Sequence, residues 1–192
     1  MNKRWEILPI DEKKQILLEK NLHISSSLAE ILTRKNLDEN SAKLFLNPTK
    51  IPYHDPFLLK DMEKACQRLL LALKNKEKIC IYGDYDVDGV SSTALLMTVF
   101  TKLGFNIDYY LPDRHSEGYG LHIESLQKLI PKYDLLITVD CGITALDEVD
   151  YAKDKIDMII TDHHLPREIL PDAFAIINPT QTQCNYPNKN LC

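Results

Sequence analysis

Asp84, Asp86 and Asp88 alternate along one short stretch of this 192-residue chain, directly after the apolar run Ile79–Gly83. Asp140 follows a second run, Leu135–Val139, and Asp162, His163 and His164 follow a third, Met158–Thr161. Two further runs, Ile107–Leu111 and Phe174–Ile177, end at Pro112-Asp113-Arg114 and Asn178-Pro179. Carboxylates gathered in one small volume need cations, because like charges at close range repel and raise each other's pKa. Imidazole is a good ligand for Mn²⁺, Zn²⁺ or Fe²⁺. A pair of divalent ions held by such oxygen and nitrogen donors acts on phosphate esters. The residue types therefore point to a two-metal phosphoesterase.

For these side chains to meet, the five runs must be parallel strands of one sheet. Their carboxyl ends then share one edge, where open α/β sheets bind ligands. Helical patterns lie near Ser91–Leu103, His122–Ile130, Thr144–Ala152 and Pro166–Leu170. This alternation predicts an α/β fold, a Rossmann-like parallel sheet of about five strands flanked by helices. Residues 1–56 read as a helical N-terminal segment, with a cap at Ser25 or its neighbours and a stop at Asn47-Pro48. Residues 57–192 read as the α/β domain. Its first helix places Met62, Cys66, Leu69, Leu70 and Leu73 on one stripe.

Each motif has a competing reading. Asp84-x-Asp86-x-Asp88-Gly89 resembles a calcium loop, but the position that should be Glu is Leu95. Asp86-Val87-Asp88-Gly89-Val90 also fits a haloacid-dehalogenase-like phosphatase, with Asp86 as nucleophile and Asp88 as acid. A solvated acidic turn is the structural alternative. Asp162-His163-His164 favours the metal reading, since magnesium-only phosphatases have little use for imidazole. There Asp162 could fix the tautomer of a neighbouring ring. Asp140 could instead cap the next helix. In the loop Pro112–Leu121, Arg114 could clamp a phosphate and Tyr119 could stack on a base; the bland alternative is a surface loop closed by glycines.

The bulk numbers set limits. Hydrophobic residues make up 44% of the chain, enough for a packed core and too many for disorder. Five cysteines without a Cys-x-x-Cys argue against a disulfide framework, and Cys184 and Cys192 lack zinc spacing. No apolar stretch reaches membrane-spanning length, and the N-terminus does not read as a signal peptide, so a cytoplasmic protein without membrane association is expected. The net charge of −5 does not advertise a nucleic-acid binder, yet two divalent ions would reverse the sign at the acidic cluster.

Taken in order, Gly83–Gly89, Leu111–Leu121, Thr138–Ile143, Thr161–His164 and Ile177–Pro179 resemble the DHH phosphoesterase superfamily, and within it the bacterial exonucleases specific for single-stranded DNA. The resemblance extends upstream through Trp5, Leu28–Leu32, Phe45–Pro48 and Asp55-Pro56. It implies 5′-to-3′ hydrolysis of single-stranded DNA with Mn²⁺ or Mg²⁺, in repair and recombination, alongside a single-strand-binding protein and a helicase. By position, Asp86, Asp88, Asp140 and His163 match the metal ligands, and Asp84 and His164 match residues that act in catalysis. Arg114 and Tyr119 lie in the loop that faces substrate. The family continues into a Gly-rich segment, a further metal-ligating Asp and a second domain with Gly-Gly-His, whereas no Gly follows Gly142 here. The resemblance thus implies an N-terminal fragment. Phosphodiesterases acting on short oligonucleotides or cyclic dinucleotides, and non-catalytic binding modules, are the alternatives within reach of the same motifs.

Overall fold

In the computed structural model, residues 9–50, 53–189 and 191 are described. Trp5 and Cys192, singled out above, lie outside them. The chain divides into two compact units, residues 1–53 and 54–192.

Among the described residues the first unit holds three α-helices, α1 (Glu12–Leu22), α2 (Ser26–Arg34) and α3 (Glu39–Leu46), and a 3-10 turn at Pro48–Lys50. Each α-helix is capped by a side chain just ahead of it. Asp11 accepts from Lys14 N–H, Ser25 from Leu28 N–H and Asp38 from Ser41 N–H. Leu18, Ala29, Leu32 and Ala42 form their shared core.

The second unit is a five-stranded sheet in the order β2-β1-β3-β4-β5, with every pairing parallel. The strands are β1 (Lys78–Gly83), β2 (Asn106–Tyr110), β3 (Leu135–Val139), β4 (Asp157–Thr161) and β5 (Ala175–Ile177). Central β3 is buried along its whole length, as expected for a strand covered on both faces. Alternate residues serve opposite faces. Ile79, Leu135, Ile137 and Ile159 pack with Ala65 and Ala72 of α4 (Met62–Asn75) and with Leu96 and Phe100 of α5 (Val87–Lys102). Cys80, Tyr82, Leu136 and Ile160 face the other way, toward Leu126 of α6 (Ile123–Leu129) and Val149 of α7 (Leu146–Ala152).

Two expectations fail. Residues 166–170 are not helical. Pro166 and Pro171 bracket a span too short for a stable helix. On α4, the buried line is Ala65, Arg68 and Ala72, while Leu70 is 64% exposed. Periodicity alone favoured the larger apolar residues. The turn is set instead by Arg68, whose guanidinium donates to Glu77 and Asp157 at 2.6 Å each. It ties α4 to the sheet edge opposite the acidic cluster. Arg68→Met would leave Glu77 half-buried without its cation. We expect a loss of about 2–4 kcal/mol in urea unfolding with Mn²⁺ affinity unchanged.

Cys66, Cys80, Cys141 and Cys184 are free thiols. No helix of the described residues is long and apolar enough to cross a membrane.

Candidate metal centre at the sheet edge

The strands end in step. Gly83 pairs with Val139, Val139 with Thr161, and Thr161 with Ile177. The next residues along that row are Asp84, Asp140, Asp162 and Asn178. The order 2-1-3-4-5 reverses between β1 and β3, the position where such sheets open a crevice for ligands.

After β1 the chain turns straight into α5. Asp86 caps that helix, its Oδ1 accepting from Gly89 N–H at 3.0 Å, and this contact holds its carboxyl below the usual range. Asp88 sits in the first helical turn. The segment is therefore not extended, and the three carboxylates do not face one space by simple alternation. Asp84 is fully buried. Its Oδ1 accepts from Tyr85 N–H at 2.7 Å, its Oδ2 has no donor among the described residues, and burial pushes its pKa up. Asp86 and His164 are its charged neighbours. Gly89 is required beside it: a Cβ there would come within 2.4 Å of the Asp84 carbonyl oxygen.

After β3, Asp140 takes a left-handed backbone (φ 60°), strained for a residue with a side chain. It does not cap α7, which begins at Leu146 behind Ala145. Thr138 Oγ1 braces the turn by donating to the Cys141 carbonyl at 2.8 Å. Asp140 is buried, and no N–H or O–H of the described residues donates to either of its oxygens. Its Oδ1 lies 2.9 Å from His163 Nε2, out of line for a hydrogen bond, and Asp88 Oδ2 lies 4.0 Å from the same nitrogen. Burial first, and the neighbouring Asp86 second, push the Asp140 carboxyl up to about 6. Ligand atoms of Asp140, His163 and His164 all fall within 4.8 Å of one another. A buried carboxylate without donors, facing an imidazole and a second acid, fits a divalent cation.

Asp162 serves the other histidine. Its Oδ1 accepts from the backbone N–H of His163 and of His164 and meets His164 Nδ1 at 2.7 Å; its Oδ2 accepts from Ile143 N–H. Burial opposes charge on His164, but the Asp162 contact and charge outweigh it and raise its pKa. The far nitrogen, Nε2, lies 3.0 Å from the Tyr119 hydroxyl.

Tyr119 is brought there by the loop after β2. Glu117, which sequence reading passed over, organises that loop. Its carboxylate accepts from Tyr110 O–H, from Ser125 O–H and from Asp113 N–H. Tyr85 packs edge-on to Tyr119, and Arg114 lies over the Tyr85 ring at 5.5 Å. Arg114 is exposed and rests on the residue that follows Asp84 and precedes Asp86. The donors to Glu117 lie four to eight residues away, in β2, in α6 and in the loop itself, with no regular spacing to mark them in the sequence.

Comparison with known proteins follows the same lines. The DHH family, N-terminal domain, matches residues 78–191. The single-stranded-DNA-specific exonuclease RecJ of Bacillus subtilis is 43% identical over 191 residues, 98% of this chain and 24% of that protein. RecJ of Haemophilus influenzae is 42% identical over 164 residues, 84% of this chain and 27% of its own length. The chain therefore spans about a quarter of the length of these curated relatives. A crystal structure of exonuclease RecJ bound to manganese superposes with a TM-score of 0.63 at 34% identity, over 69% of this chain and 34% of that one. RecJ of Thermus thermophilus in complex with Mn²⁺ gives 0.65 at 25% identity, over 95% and 26%. With the family matched across the whole sheet and the acidic edge that it builds, the chain belongs to the DHH family.

Proposed function

We propose that the chain forms the metal-binding part of a phosphodiesterase that removes nucleotides from the 5′ end of single-stranded DNA. The observation that carries this reading is Asp140. Its carboxylate is buried and without a donor among the described residues, its backbone is left-handed, and it faces His163 with Asp86 beside it. Asp86, Asp88, Asp140 and His163 would hold Mn²⁺ or Mg²⁺. Bound there, the ions supply a hydroxide nucleophile at neutral pH and offset the charge that builds on phosphorus. The remaining groups belong to the chain itself. Asp162 holds His164 at Nδ1, and Tyr119 holds its Nε2 through the hydroxyl before substrate binds. With substrate in place Nε2 would turn its proton from that hydroxyl to the leaving oxygen. Arg114 and Tyr85 offer the strand a cation and a ring on the rim. The DNA substrate is supported by the relatives, which are named as single-stranded-DNA-specific exonucleases. A cytoplasmic role in repair and recombination, with a single-strand-binding protein and a helicase as partners, rests on family resemblance alone.

Incubation of the chain with 5′-labelled single-stranded DNA tests the reading. We expect mononucleotide release that needs Mn²⁺ and is lost on chelation, with duplex DNA resistant. Metal uptake by calorimetry without hydrolysis of any phosphodiester would reduce the chain to a binding module. Cleavage of dinucleotides but not of longer strands would move the substrate to short oligonucleotides.

A further inference from the structure

The paired histidines separate two cavities. His163 lines the smaller, about 180 Å³, with Asp88 and Asp140. His164 and Tyr119 line the larger, about 730 Å³, together with Thr144, Asp147, Glu148 and Arg167. The catalytic roles assigned above leave these last four residues unused. The larger volume lies in the range of built ligand sites. Arg167 is exposed on its wall and has no hydrogen bond or ion pair among the described residues.

We propose that this second cavity holds the nucleotide adjoining the scissile phosphate, with Arg167 pairing with the next phosphate along the strand. The proposal rests on the reading of the site as a single-strand phosphodiesterase. Three observations support it. The cavity begins at His164, the group placed at the reacting phosphate, so a strand held there has its neighbouring nucleotide within reach of the cavity. His164 and Arg167 are three residues apart, a separation of at most roughly 10 Å in extended chain, which suits successive contacts along one strand. The lining also matches the parts of a nucleotide. Thr144, Asp147 and Glu148 offer acceptors to the amino groups of bases. The two carboxylates repel phosphate from the interior, which leaves the Arg167 guanidinium as the place where the backbone passes.

Fluorescence anisotropy with a phosphorothioate tetradeoxycytidylate, whose bases carry the amino group, labelled at its 3′ end and resistant to cleavage, reads this directly in the presence of Mn²⁺. Arg167→Ala is expected to weaken binding about tenfold and to lower the slope of log affinity against log salt by about one. Lys102→Ala, which removes the same charge from the far end of α5, should leave both unchanged. Deoxycytidine 5′-monophosphate lacks the following phosphate and should bind parent and Arg167→Ala alike. Equal affinity of parent and Arg167→Ala for the tetranucleotide, with unaltered salt slope, would overturn the subsite and leave the proposed function standing. Failure of the parent to bind the strand with Mn²⁺ present would overturn both.

Discussion

Asparagine in place of Asp140 is expected to weaken Mn²⁺ binding by about 100-fold or more while making the metal-free chain harder to melt. Asn matches Asp in size and tolerates the left-handed backbone found there (φ 60°), so the turn should survive. What disappears is a charged ligand and a source of repulsion. Burial and Asp86 push the Asp140 carboxyl up to about 6 in the metal-free fold. A carboxyl whose folded pKa exceeds its unfolded value stabilises the fold while protonated, and that contribution is lost as pH rises through the folded value. At about pH 7.5 the ionised Asp140 therefore burdens the metal-free protein. Its removal should raise the melting temperature by about 2–4 °C, and the gain should vanish toward about pH 4, where both forms are neutral. For the parent chain, proton and metal compete for the same oxygens, so Mn²⁺ affinity should fall about tenfold per pH unit below pH 6. Calorimetric titration and thermal melts at three pH values measure all of this. Unchanged Mn²⁺ affinity in Asp140→Asn would remove Asp140 from the metal shell.

His164→Ala should behave in the opposite way. The rate of mononucleotide release is expected to fall about 10²- to 10⁴-fold, with Mn²⁺ affinity changed only a few fold. His164 is near enough to Asp140 and His163 to be taken for a ligand. Its ring, however, is held at Nδ1 by Asp162 and directed at Nε2 toward Tyr119. A carboxylate on Nδ1 orients the ring for either role, and the Tyr119 contact at Nε2 favours the acid. Its raised pKa keeps it protonated further into the neutral range, and proton donation is lost as pH rises through that value. The rate should thus decline on the alkaline side in the parent, and this limb should be absent in His164→Ala. Single-turnover assays across pH separate the two roles. A large loss of Mn²⁺ affinity in His164→Ala would make it a ligand and displace the acid role. Tyr119→Phe removes only the hydroxyl contact and should slow release by a smaller factor.

The parts of the fold that sequence revealed are those that depend on local pattern. Short β-branched runs ending in Asp or His mark strands whose ends share an edge, and the paired rows Gly83–Val139–Thr161–Ile177 bear that out. Features set by distant partners were not legible. Arg68 is buried only because Glu77 and Asp157 meet it, the second 89 residues away. Glu117 differs: its donors Tyr110, Ser125 and Asp113 are near in sequence, and only the turn from β2 into α6 brings them together. Alternation suggested that Asp84, Asp86 and Asp88 share a face, but capping of α5 by Asp86 ends the extended backbone there and sends Asp84 into the interior. The strain at Asp140 has no signature in sequence, since Asp before Cys141-Gly142 reads equally well as an ordinary cap. The connection from β4 to β5 has a local cause instead: Pro166 and Pro171 outweigh a weak helical pattern.

Anomalous diffraction from a crystal soaked in Mn²⁺ looks straight at the point where the separated motifs are held to meet. The expected result is a peak at the end of β3, within roughly 2.3 Å of an Asp140 oxygen and of His163 Nε2, and no such peak in Asp140→Asn. Manganese bound only at other carboxylates, with the pocket between Asp140 and His163 left bare, would contradict the whole account of this edge.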